Sequence, residues 1–178
     1  MGQYYVAVNV DNMEHVEPHK YDNGAKLMEH SYIGNNFVEA VELLLLDDGE
    51  TKGRWSGNRI SWAGDYAPTL QGEEENLYMS VKGDGLQMLV EAIPEDYKYL
   101  INLDKKQYVD KSKCPNMSSD WADFKVHPLP LLTAEGNGMG GGDYRGDEDY
   151  VGSWARNRIA LVNKVPEGYT EIIPNFNE

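Results

Sequence analysis

The sequence holds a single cysteine, Cys114, so no disulfide can form within the chain. No apolar run approaches membrane-spanning length; the longest is Leu43 to Leu46 with its flanks. The opening residues lack the charged and apolar regions of a signal peptide, and Val6 stands where a myristoylation signal after Gly2 needs Ser or Thr. Basic residues are scarce: 16 Lys and Arg against 30 Asp and Glu, for a net charge of −14. That balance disfavours unspecific binding to nucleic acid or to an anionic membrane, since neutralising phosphates requires clustered Lys and Arg. The acidity is uneven, with residues 1–96 carrying −12 and residues 97–178 carrying −2. A soluble cytoplasmic surface is the ordinary reading, and an acidic mimic that docks on a basic partner is the sharper one.

What remains is rich in strand and turn formers. Twelve Tyr, four Trp and eighteen Gly in 178 residues favour strands and tight turns over a helical bundle, and the length is enough to bury a real core. Within it one pattern is used twice. Gly53-x-Trp55-x-x-Asn58-Arg59-Ile60 recurs as Gly152-x-Trp154-x-x-Asn157-Arg158-Ile159, with Ser56 replaced by Ala155. A second match opens each half: Val8-Asn9-Val10-Asp11 with Val16 answers Ile101-Asn102-Leu103-Asp104 with Val109, at one 93-residue offset.

These matches predict two degenerate repeats, residues 1–70 and 93–168, joined by 71–92 and followed by a tail at 169–178. Each repeat is expected to open with a hairpin (residues 4–20 and 97–113) and to close with one (52–66 and 151–165). In the first, Asn36 is expected to cap a helix whose apolar face runs from Phe37 to Leu45. The second offers at most a short helix at 120–124. It then continues through Pro128-Leu129-Pro130, where two prolines point to an extended segment. Leu86 to Ala92 is apolar enough for core, and one or two helical turns are expected between Glu73 and Val81. The fold class is therefore α+β, strand-dominated, packed as one globular unit without regular βαβ alternation.

Several stretches taken together resemble a family of small proteins of bacteria and their phages with no established activity. They are Met1-Gly2-Gln3-Tyr4-Tyr5, Pro18-His19-Lys20, Gly53-Arg54-Trp55-x-Gly57-x-Arg59-Ile60, Ala63-Gly64-Asp65-Tyr66 and Gly140-Gly141-Gly142-Asp143. The resemblance implies a prokaryotic or phage origin and carries over no catalytic residue.

No strong catalytic signature appears. Cys114 precedes Pro115 without an identifiable His partner, and there is no Gly-x-Ser-x-Gly elbow. Glycines 136–142 lack the Gly-Lys-Ser/Thr ending of a phosphate loop, so the segment is expected to be a flexible surface loop or one holding unusual dihedrals. His15, His19 and His30 lie near acids, but their spacing matches no zinc motif, and no metal or cofactor is expected. The lysines at 98, 105, 106, 111, 113 and 125, interspersed with aspartates, read as ordinary charged surface.

The leading expectation is a non-enzymatic binding module that holds a small anionic ligand or a protein partner between the repeats. Arg59 and Arg158 would supply planar forks for a phosphate or carboxylate, with Trp55 and Trp154 beside them. Asp65, which follows only the first motif, the polar pair His19 and Lys20, and Asp143 complete the candidate set. A hydrolase using Asp65 with His19 is the remaining alternative.

Overall fold

Two asparagines turn the chain in the same way. Asn9 Oδ1 accepts the backbone N–H of Asp11 at 3.0 Å, and Asn102 Oδ1 accepts that of Asp104 at 3.0 Å. Both turns pass through a left-handed residue, Met13 at φ 58° and Lys106 at φ 51°. The strands they join are β1 (Tyr5–Asn9) with β2 (Glu14–Val16), and β5 (Tyr99–Asn102) with β6 (Gln107–Asp110). The two expected opening hairpins are thus present in a computed structural model that describes residues 1–118, 120 and 122–177.

In chain order, β2 leads through a 3-10 turn (Pro18–Tyr21) to helices α1 (Leu27–His30) and α2 (Asn36–Leu45). Strands β3 (Leu46–Asp47) and β4 (Asn58–Gly64) follow, then a short helix α3 (Leu77–Ser80) in the connecting segment. After β6 come a 3-10 turn (Lys111–Lys113), β7 (Asn116–Ser118), β8 (Asp123–Lys125), α4 (Pro128–Leu132) and β9 (Ala134–Glu135). The chain closes with β10 (Asn157–Val162) and β11 (Thr170–Glu171). No helix among the described residues is long and apolar enough to cross a membrane.

One mixed sheet organises the molecule, in the order β11-β6-β5-β10-β4-β1-β2. Its centre is the antiparallel pair β4–β10, which brings the two halves together. Each half also lends a two-residue strand to the other: β3 lies parallel to β10 at Leu161 and Val162, and β9 parallel to β4 at Trp62 and Ala63. Backbone bonds recur at matched positions across this centre, Gly57 N–H to Ile159 O at 2.9 Å and Arg156 N–H to Ile60 O at 2.7 Å. The fold is strand-dominated α+β, in one globular unit.

The closing segments are not hairpins. Residues before β4 and β10 form turns, with Asn58 N–H on Trp55 O and Asn157 N–H on Trp154 O, both at 3.0 Å. Their remaining amides tie off helix ends: Trp55 N–H binds Leu44 O and Trp154 N–H binds Leu132 O, each at 2.8 Å. The last carbonyls of a helix lack partners within it, and these amides satisfy them instead of forming a strand.

Four further expectations change. Residues 128–132 are helical, because Pro128 and Pro130 fall in the first turn, where no intrahelical N–H is required. The short helix expected at 120–124 is replaced where it is described, since Asp123 and Phe124 belong to β8, paired with β7; residue 121 lies outside the described residues. The cap of α2 is Asn35 rather than Asn36, its side chain accepting Val38 N–H at 3.2 Å. Leu86, Met88 and Val90 are only half-buried against the core, in a segment without regular structure.

Alternation along the strands sorts the two faces. Tyr5, Ala7, Ile60, Trp62, Leu100, Ile159 and Leu161 point into the main core beneath α2 and α4. Val6, Val8 and Ala63 point the other way, under Leu77 of α3, and Ile101, Ala160 and Val162 form a separate apolar patch on that outer face.

Candidate functional site

Arg59 and Arg158 are direct partners in the β4–β10 register, so both project from the outer face at the middle of the sheet. Each is held by the turn of its own half. Arg59 Nε–H donates to Asp11 at 2.6 Å and Arg158 Nε–H to Asp104 at 2.8 Å. The backbone N–H groups of the same arginines also reach these carboxylates, and together with the guanidiniums they hold Asp11 and Asp104 below the usual carboxylate range. The arginine side chains remain about half exposed (49% and 50%) and line none of the cavities described below. They stand on an open face, each turned toward the aspartate of its own half.

Trp55 and Trp154 are fully buried, and each indole N–H finds a partner from the opening hairpin of its half: Glu14 at 3.1 Å and Gln107 at 3.0 Å. Neither ring reaches a surface where a ligand would stack. Arg156, absent from the sequence candidates, is the arginine most heavily engaged. Its guanidinium bridges Glu135 at 2.7 Å and Glu73 at 2.5 Å, fastening the acidic connecting segment to β9. It sits at φ 63°, where the first half has Gly57 at 76°. A non-glycine residue at a turn position that glycine fills in the other half was the available signal.

Asp65 accepts Tyr4 N–H at 2.9 Å, a turn role. His19 is exposed and pairs with Glu17 at 2.9 Å, and Lys20 follows it on the same 3-10 turn. Burial, and then the charges of Asp65 and Glu17, push the Tyr78 hydroxyl above its ordinary value. No cavity described here contains both Asp65 and His19. His30 is a core residue: Nδ1 donates to Gly24 O and Nε2 accepts the Trp62 indole N–H, both at 2.9 Å. Burial lowers its pKa to about 4.

The glycine-rich loop is ordered by hydrogen bonds. Asp143 is buried and accepts Gln3 Nε2–H at 2.6 Å, Gly140 N–H at 2.8 Å and the Tyr5 hydroxyl at 2.9 Å. Arg145 straps the outside of the loop through the carbonyls of Gly138, Met139 and Gly140. Glycine is required here by close approach, since a Cβ at Gly136 would stand 2.5 Å from the Tyr5 hydroxyl.

The densest buried chemistry lies elsewhere, where the halves meet. Glu42 of α2 is buried, and its two oxygens bind His127 Nε2 at 2.8 Å and Lys111 Nζ. His127 heads α4, and its Nδ1 accepts Leu129 N–H at 3.2 Å, so Nε2 carries the proton and the ring is neutral. Burial holds His127 below its ordinary value. Burial also pushes the Glu42 carboxyl up, but His127 and Lys111 outweigh that and hold it down.

Above Lys111 and Glu42 opens a cleft of about 300 Å³. Ile33, Ile93 and Tyr97 furnish apolar wall, and Lys98 and Lys125 stand with Lys111 around it. Lys98 Nζ lies 5.5 Å from the Tyr99 ring centre, and Lys125 Nζ donates to Ser112 O at 2.5 Å. Glu39, also in the wall, is raised by burial and by the charge of Glu42, so it takes up a proton more readily than a free glutamate. The cleft draws on α2 from the first half and on Lys111, Ser112 and Lys125 from the second.

The sequence reads Lys98, Lys111 and Lys125 as ordinary charged surface, and Lys111 and His127 lie 69 and 85 positions from the Glu42 that gathers them. One signal was present: Glu42 interrupts the apolar positions of α2, and a carboxylate there requires buried partners. No family model, no curated protein and no solved structure matches the chain.

Proposed function

We propose that the protein is a non-enzymatic binding module that holds a small anionic ligand in the cleft between its halves. The observation that carries this reading is that Lys98, Lys111 and Lys125 line one half-apolar cleft, beside Glu39, Glu42 and Glu95, in a chain of net charge −14. A carboxylate or phosphate with a short apolar body suits it: the anion meets the ammonium groups, and the body lies on Ile33, Ile93 and Tyr97. Glu42 is occupied by Lys111 and His127, so it fixes one ammonium group in place rather than competing for the ligand. Proton uptake by Glu39 removes one opposing charge from the wall, which also holds Glu95.

Benzoate, phenyl phosphate and inorganic phosphate serve as probes in calorimetric titration. Saturable binding of an organic anion, weakened at least about tenfold in Lys98→Ala and Lys125→Ala, supports the reading. Equal binding by both variants and the parent chain would sink it. A second reading is favoured by the register of Arg59 against Arg158, which sets two half-exposed arginines opposite each other on neighbouring strands. There the anion lies on the open sheet face, and Arg59→Ala with Arg158→Ala is the diagnostic pair.

The organisation behind both readings is an internal duplication. The matched Asn9 and Asn102 turns, the Arg–Asp pairs and the Trp indole partners support it. The cleft and the glycine-rich loop lie where the copies diverge.

A further inference from the structure

The carboxylate of Asp143 has three donors and no counter-ion. Gln3 and Gly140 bind one oxygen and Tyr5 binds the other, and all three are neutral. Among the described residues, no Lys, Arg or His forms an ion pair with it. The Tyr5 hydroxyl is pushed well above its ordinary value by burial and by Asp143, so it stays protonated and remains a donor. A buried negative charge supported only by neutral donors is expensive unless a cation completes it.

Beside this carboxylate is a cavity of about 240 Å³. Asp143, Tyr5 and Asn137 give it one polar side, and Leu27, Val151 and the Tyr144 side chain form the rest. Gly136 and Gly138 also line it; a side chain at Gly136 would run into the Tyr5 hydroxyl. Asp143 Oδ1 receives one hydrogen bond and retains acceptor capacity for a second. The cavity is therefore negative at one end and apolar or aromatic at the other. Its size admits a molecule of a few carbon atoms.

We infer that this cavity is a binding site for a small organic cation, a primary ammonium group on a short apolar body. The ammonium donates to Asp143, and the body packs on Leu27, Val151 and Tyr144. This site is separate from the lysine-lined cleft, and its ligand has the opposite charge, so either assignment stands or falls alone.

The test is calorimetric titration of the full chain at neutral pH and constant ionic strength with n-butylamine, against n-butanol as the neutral isostere. Saturable one-to-one binding of the amine, at least about tenfold tighter than the alcohol, is expected. Asp143→Asn should abolish that preference. If Asp143→Asn does not fold, Val151→Phe, which fills the apolar end while keeping the carboxylate, should weaken the amine by a similar factor. The inference is overturned by no saturable amine binding, by equal affinity for amine and alcohol, or by amine binding unchanged in a folded variant. Displacement of the amine by equimolar sodium or potassium also overturns it, because a metal-ion site would then be the correct reading.

Discussion

Glu42 and His127 meet across the two halves of the chain, Oε1 to Nε2 at 2.8 Å, with both side chains buried. Lys111 takes the other carboxylate oxygen, so one glutamate on α2 ties down both the 3-10 turn after β6 and the head of α4. This junction holds the shape of the proposed ligand cleft.

Removing a single partner from that network strands the others. Glu42→Ala is expected to cost about 3–5 kcal/mol, because it leaves Lys111 without its carboxylate. Replacing all three by apolar residues of similar volume, as in Glu42→Leu with Lys111→Met and His127→Leu, should recover most of that loss. Urea unfolding of the single and triple variants measures the difference. A triple variant no more stable than Glu42→Ala would show that the network contributes more than charge pairing.

His30 makes stability fall in mild acid. Its folded pKa of about 4 lies below the ordinary value of 6.5, so the unfolded chain takes up a proton that the folded chain refuses. The contribution is complete above pH 6.5 and is lost as pH falls toward 4, reaching on the order of 3 kcal/mol. The drop in Tm between pH 7 and pH 5 should therefore be smaller in His30→Gln than in the parent chain. Parallel curves for the two proteins would place the acid sensitivity elsewhere.

Cys114 should resist modification. It is buried, and burial pushes its thiol up to about 12, so little thiolate forms at neutral pH. A thiol-reactive disulfide reagent should label the native chain slowly and the urea-unfolded chain at the rate of a free cysteine. Equal rates would mean that the segment around Cys114 opens readily.

Local rules carried the reading of the strands, the turns and α2. Asn9 and Asn102 sit in hairpin turns that their neighbours spell out, and the apolar spacing from Phe37 to Leu45 is that of a helix. The prolines at 128 and 130 misled because their effect depends on where the helix starts, and that start is set by His127 bonding Leu129 N–H. Trp55 and Trp154 misled for a related reason: their amides close helix ends far back in the chain. Of the candidate site residues, the Arg59–Arg158 pairing and the buried Asp143 have clear places in the fold, whereas Glu42, Lys111 and His127 converge only through tertiary packing. No local pattern encodes such a meeting.

Backbone amide chemical shifts during a titration with phenyl phosphate test the central claim most directly. Binding in the cleft between the halves predicts saturating shifts at Ile33, Gly34, Glu39, Lys98 and Ser112, stronger at lower pH as Glu39 takes up its proton. Saturating shifts confined to Arg59, Arg158 and their neighbours, with the cleft unmoved, would contradict it.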